Sequence, residues 1–265
     1  MNTDVPGATL YYEVQGSGPT LLLIPGGPLD SSAFAGIAPL LADEYTVVTY
    51  DPRGLSRSTR TDPDEDVSVD TQADDALRLL DAVGAEPAHV FGHSGGALTA
   101  FNLVARHPDR VRTLVAMEPP VTELLPDRDK HRADEQAIHD AYRRDGVWAG
   151  LGVFMAQAGL DDDGAEQSGG PSPAEMAAMR PNFEMFLGHM LAPMSGYLPD
   201  ADALRAAPTK IVIGTGTTTV GDVAHRAALA VAKLLDVSTV DFPGDHNGFS
   251  ADPEANAKVL REVLH

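Results

Sequence analysis

Short apolar runs recur along this chain with helical patterns between them. Thr20–Ile24 (TLLLI), Tyr45–Tyr50 (YTVVTY), Val90-Phe91 and Val111–Met117 (VRTLVAM) are continuous or nearly so, with little polar alternation. A strand with one face in water alternates with period two, whereas a continuous run suits a strand covered on both faces. Between these runs Phe34, Ile37, Leu40 and Leu41 fall at helical spacing. Ala73, Ala76, Leu77, Leu80 and Val83 do the same before Gly84, and Ala97–Ala105 also reads as helix. Such alternation predicts a parallel sheet with helices on both sides. Residues 8–15 (ATLYYEVQ) alternate weakly, as an edge strand does.

The rhythm breaks at Glu118-Pro119-Pro120. From there to Pro208 the chain carries helical patterns without a convincing strand, and it gathers methionine and aromatic residues: Trp148, Phe154, Met155, Phe183, Phe186 and Met190 among them. Within this block Asp161–Pro173 is polar and glycine-containing, a segment expected to be mobile. The alternation resumes with Lys210–Ile213, a helix from about Asp222 to Leu235, Ser238–Phe242, and a last helix from about Pro253 to Leu264. No internal repeat is present.

The 265 residues suffice for one large α/β domain carrying such an inserted block. With no cysteine, disulfides, thiolate metal sites and a cysteine nucleophile are excluded. No apolar run approaches the roughly 18 residues of a membrane span. The start MNTDVPGATL lacks the basic residues and apolar core of a signal peptide, so a soluble cytoplasmic protein is expected. A formal charge of −20 argues against nucleic acid and anionic membranes as partners. The expected partner is a small-molecule substrate, and the expected state a monomer or homodimer.

One stretch carries chemistry. In His89–Phe101 (HVFGHSGGALTAF) a strand runs into Gly92-His93-Ser94-Gly95-Gly96 and then a helix. This is G-x-S-x-G at a strand-to-helix turn, a nucleophile elbow. A serine on so tight a turn sits in strained backbone, and its neighbours must lack a Cβ that would clash. The turn lifts the Ser94 hydroxyl clear of the sheet and aims the Gly95 amide at whatever the serine attacks.

Four pieces of the chain together resemble the α/β-hydrolase superfamily: the turn Pro25-Gly-Gly-Pro28, Asp51-Pro-Arg-Gly-Leu-Ser-Arg-Ser58, the elbow Gly92–Gly96, and a late Gly244-Asp-His246. The resemblance implies an eight-stranded, mostly parallel sheet, formed by residues 1–118 and 208–265, with 119–207 inserted as a helical cap. It implies Ser94 as nucleophile and His246 as its base. It also implies an oxyanion hole from the amides of Gly27 and Gly95. Asp51 and Arg53 are expected to brace their loop, and Ser56 stands where relatives usually have glycine. His93 occupies the variable position of the elbow and is not expected to touch substrate. His131, Asp134, Glu135 and His139 share a helical face that reads as solvated rather than as a metal site.

The acid departs from the usual pattern. Most relatives carry an aspartate a few residues after the next strand, but here Lys210–Ile213 runs into Gly214-Thr-Gly-Thr-Thr-Thr219, with no carboxylate before Asp222. Glu118, directly after Val111–Met117, is the position used by some members, including the zearalenone-type lactonases. Glu118 is favoured, with Asp222 as the alternative acid and a ready N-cap for the helix it precedes.

The function expected is a cofactor-independent serine hydrolase cleaving a carboxylic ester or lactone of a small, largely apolar molecule. Trp148, Phe154, Met155, Phe186 and Met190 of the cap are expected to meet the substrate, since methionine and aromatic side chains adapt to irregular apolar ligands. C–C bond hydrolysis, peracid formation or cofactor-free oxygenation on the same fold are alternatives, as is a non-catalytic binding protein. Epoxide hydrolases and dehalogenases are disfavoured because they carry aspartate at the serine position. Gly214-x-Gly216 does not make a dinucleotide fingerprint, for it lacks a third glycine and the later acidic residue.

Overall fold

A computed structural model of the chain describes residues 1–158 and 173–265. Nine strands form a single sheet. They are β1 (Asn2–Val5), β2 (Ala8–Gln15), β3 (Thr20–Ile24), β4 (Thr46–Tyr50), β5 (Thr59–Arg60), β6 (Ala88–His93), β7 (Val111–Met117), β8 (Lys210–Gly216) and β9 (Thr239–Phe242). Eight of them run in the order β1-β2-β4-β3-β6-β7-β8-β9, and the two-residue β5 pairs with β2. From β4 to β9 every pairing is parallel, while β1, β2 and β5 pair antiparallel at one edge.

The apolar runs divide their side chains between the two faces with period two. Leu22, Ile24, Val90, Leu114 and Ala116 enter one core, which is covered by the helices Val69–Ala82, Gly95–Arg106 and Val223–Leu235. Leu21, Leu23, Phe91, Val115 and Met117 enter the other, under Ala38–Leu41 and Pro253–Leu264. Both faces are therefore buried, which is why these strands show no polar alternation.

The helix expected around Phe34–Leu41 is broken into a 3-10 turn, Ser31–Phe34, and a single helical turn, Ala38–Leu41. Gly36 and Pro39 explain the interruption: glycine gains little from helix, and proline has no N–H to bond the preceding turn.

Between β7 and β8 the described residues form helices only, the longest being Arg128–Asp145, Val147–Ala158 and Pro173–Met185. The last passes through a π-turn, Phe186–Met190, into Leu191–Ser195. Except for Pro173, the polar segment 161–173 lies outside the described residues. No described helix is long and apolar enough to cross a membrane.

Candidate active site

Register explains how the chemistry assembles. In the β6–β7 pairing His93 stands opposite Met117, so the next residues, Ser94 and Glu118, leave the sheet side by side. The Ser94 amide donates to the Met117 carbonyl (2.9 Å), and the Glu118 amide donates to the Gly214 carbonyl of β8 (3.0 Å). Both residues have positive φ, 51° at Ser94 and 43° at Glu118. Strain of this kind persists only where the surroundings over-determine it. At the elbow they do: a Cβ on Gly92 would lie 2.8 Å from the Cα of Ala97, and one on Gly96 2.4 Å from the Ile24 carbonyl oxygen. Ser94 itself is half-buried and so reachable.

His246 arrives on the turn after β9. The Asp245 side chain accepts from the Asn247 amide (2.8 Å), and Asn256 Nδ2 donates to the Pro243 carbonyl (3.0 Å), which fixes the turn. The His246 Nδ1 lies 2.6 Å from Glu118 Oε2. Glu118 Oε1 accepts from the Gly216 amide (2.9 Å) and from the Thr219 hydroxyl. Glu118 is completely buried. Burial raises its pKa, but the hydrogen bonds from His246, Thr219 and Gly216 outweigh it and hold the carboxyl below the usual glutamate range. With Glu118 an acceptor, Nδ1 carries the imidazole proton and Nε2 is free to accept another.

The sequence gives little sign of two residues in this arrangement. Thr219 donates to the acid from a loop tied to the His246 turn, since the Thr217 amide bonds the Phe242 carbonyl and the Thr218 amide bonds the Gly244 carbonyl (each 3.0 Å). His93 lies beneath the site, with its Nε2 2.9 Å from the His246 carbonyl oxygen and its ring 4.7 Å from the His246 ring. Burial, and then the neighbouring His246, push the pKa of His93 well down, so it is a neutral donor that supports the histidine turn.

Gly27 and Gly95 are neighbours in space: a Cβ on Gly95 would lie 3.6 Å from the Gly27 amide nitrogen. That same Cβ would lie 2.0 Å from the Met194 methyl carbon, so the insertion brings Met194 directly over the elbow. Among the expected substrate contacts, Phe186 and Met190 are buried, Phe154 packs edge-on against Phe186 (5.2 Å), and Met155 packs partly buried beside them. Trp148 is 42% exposed and packs against Phe183 (5.8 Å). Asp222 precedes its helix as an N-cap residue, but its side chain makes no capping hydrogen bond; its carbonyl accepts from Arg226 instead.

Asp51 and Arg53 brace their loop. Arg57 Nε donates to Asp51 (2.7 Å), Ser31 Oγ donates to the same carboxylate (2.8 Å), and Arg53 forms a forked pair with Asp75 (2.7 and 2.9 Å).

A serine on a strand-to-helix elbow beside a histidine–carboxylate pair, on a doubly covered parallel sheet, defines a class. The chain belongs to the α/β-hydrolase family, whose alpha/beta hydrolase fold it matches over residues 19–157. It is 34% identical to the uncharacterized hydrolase YraK of Bacillus subtilis (strain 168) across 98% of this chain and 94% of that protein. It is 28% identical to the zearalenone hydrolase of Bionectria ochroleuca across 97% and 94% of the two chains. Its structure superimposes on a thermophilic esterase from Thermogutta terrifontis with a TM-score of 0.78 at 21% identity, covering 99% of this chain and 96% of that one.

Proposed function

We propose that the protein hydrolyses a carboxylic ester or lactone of a small, largely apolar molecule through an acyl-enzyme. The observation that carries this reading is the buried Glu118 carboxyl, 2.6 Å from His246 Nδ1 and hydrogen-bonded by the Gly216 amide and the Thr219 hydroxyl, on the residue that follows β7 as Ser94 follows β6. In the proposed reaction, Ser94 Oγ attacks the acyl carbon as its proton passes to His246 Nε2, and Glu118 stabilises the imidazolium. The carbonyl oxygen takes the negative charge and is met by the amides of Gly27 and Gly95. The imidazolium protonates the departing alkoxide, leaving an acyl-serine. The same histidine then activates water to release the acid.

The insertion serves as a cap in this reading. Met194 stands at the hole, and Trp148, Phe154, Met155, Phe186 and Met190 build the apolar body behind it. The relationship to a zearalenone hydrolase supports a lactone among the substrates. A fluorophosphonate probe followed by mass spectrometry, then a panel of esters and lactones, tests the proposal. Modification at Ser94 with turnover of an ester or lactone is expected; absence of labelling overturns it.

A further inference from the structure

The helix Pro173–Met185 contains a Pro-Asn pair, Pro181-Asn182, in its interior. Proline is strongly unfavourable in a helix interior, and asparagine is a weak helix former. Local helix stability does not explain this pair, but tertiary contacts explain the asparagine. Asn182 is buried at 7% exposure. Its Oδ1 accepts from the Ser56 amide (2.9 Å), and its Nδ2 donates to Ser56 Oγ (2.9 Å) and to the Pro28 carbonyl (3.2 Å). Ser56 Oγ donates a hydrogen bond to Asp30, whose other oxygen accepts from the Ser32 amide (2.8 Å). Three residues later on the same helix, Met185 covers Gly54: a Cβ on Gly54 would lie 3.0 Å from its sulfur.

Gly27 needs such support. A Cβ placed on it would meet nothing within 4 Å, and its φ is +57°, so it has no side chain to anchor it and a backbone conformation that glycine alone adopts freely. The turn is closed behind it by the Leu29 amide on the Gly26 carbonyl (3.1 Å). Proline fixes its own φ. Holding the Pro28 carbonyl therefore leaves few free torsions between the held group and the Gly27 amide. The two donors on Ser56 and Asn182 also settle the amide's orientation, because the Ser56 N–H can only face Oδ1.

We propose that Asn182 is a positioning residue for the oxyanion hole, acting from the insertion through the Pro28 carbonyl on the Gly27 amide. Ser56, in the left-handed region at φ 48°, is the fixed post to which Asn182 is tied. The inference rests on the serine-hydrolase reading above.

The test compares wild type with Asn182→Ala and Asn182→Asp. Two readouts are used: the second-order rate of fluorophosphonate labelling at Ser94, and kcat and KM for p-nitrophenyl acetate. Circular dichroism and thermal melting report folding. Asn182→Ala should slow both labelling and kcat by roughly 10 to 100-fold with KM within about twofold, the size expected when a hole donor is misplaced. Asn182→Asp keeps the acceptor for the Ser56 amide but turns an oxygen toward the Pro28 carbonyl, so it should be at least as slow. It conserves volume and carries the test if the alanine variant does not fold. Folded Asn182 variants labelled at the wild-type rate overturn the positioning role while leaving the serine hydrolase standing. A wild-type protein that is not labelled at Ser94 overturns both.

Discussion

Replacing Glu118 with glutamine separates charge from shape at the centre of the site. The two oxygens of Glu118 face different partners: Oε1 receives the Gly216 amide and the Thr219 hydroxyl, and Oε2 faces His246 Nδ1. A threonine hydroxyl can turn and accept, but a backbone amide can only donate. The glutamine oxygen must therefore stay with Gly216, because the reverse orientation sets two donors against each other in a fully buried place. The glutamine NH2 then points at Nδ1 and makes it an acceptor, which moves the imidazole proton to Nε2. A histidine with Nε2 protonated cannot take the Ser94 proton. The expected loss in kcat is about 10⁴-fold, as for an isosteric amide in other Ser-His-acid sites, or about 5.4 kcal/mol of transition-state stabilisation. The assay is steady-state hydrolysis of a p-nitrophenyl ester on protein shown folded by circular dichroism, with Asp222→Asn as the control. Asp222→Asn should stay within about tenfold of wild type, the range of a change outside the reacting groups. A Glu118→Gln enzyme within tenfold of wild type, or an Asp222→Asn enzyme that loses more, would refute the reasoning.

Other outcomes follow from the same geometry. Ser94→Ala should retain no more than about a thousandth of the activity, with a melting temperature near wild type because alanine meets the same backbone strain; a more active variant would remove Ser94 as nucleophile. Since the reaction needs an imidazole on His246 free to accept a proton and a carboxylate on Glu118, which is held below the usual glutamate range, kcat/KM should fall as the pH is lowered. A kcat/KM that does not fall on acidification would count against a histidine base. Gly26→Ala places a Cβ 2.4 Å from the His93 carbonyl oxygen and 2.6 Å from Ser94 Cβ. Such overpacking should cost about 1–3 kcal/mol and lower the melting temperature measurably, with fluorophosphonate labelling suppressed; unchanged melting and labelling would show that the elbow can yield.

The parts legible from sequence are those whose requirements are local. Gly92, Gly95 and Gly96 around Ser94 follow from a turn too tight for side chains, and the buried strands follow from their unbroken apolar runs. Glu118 could be chosen because the loop after β8 offers no carboxylate before Asp222. Thr219, His93 and Asn182 were illegible for a common reason. Their partners lie 101, 153 and 126 residues away in the chain, and nothing in a lone threonine, histidine or asparagine announces such a contact. The small edge strands escaped for another reason: Asn2–Val5 has one buried residue, and Thr59–Arg60 is too short to show any period. The expectation that the largest apolar side chains of the insertion meet substrate did not weigh their other duty. A helical layer must first bury its own faces, and Phe186 and Met190 are buried at 3% and 2% exposure.

In the proposed triad the acid, Glu118, follows the strand next to the nucleophile, whereas the resemblance places it one strand further on in most members. The imidazole responds only to a negative charge at a point in space and keeps no account of which segment brought it there. Read along the chain, the loop after β8 offers only glycine and threonine from Gly214 to Thr219. In space the Glu118 carboxylate lies 2.6 Å from His246 Nδ1, and the loop after β8 hydrogen-bonds it through Gly216 and Thr219. Relatives that lack the usual aspartate are therefore better sorted into working and lapsed enzymes by the residue that ends β7 than by the loop that follows β8.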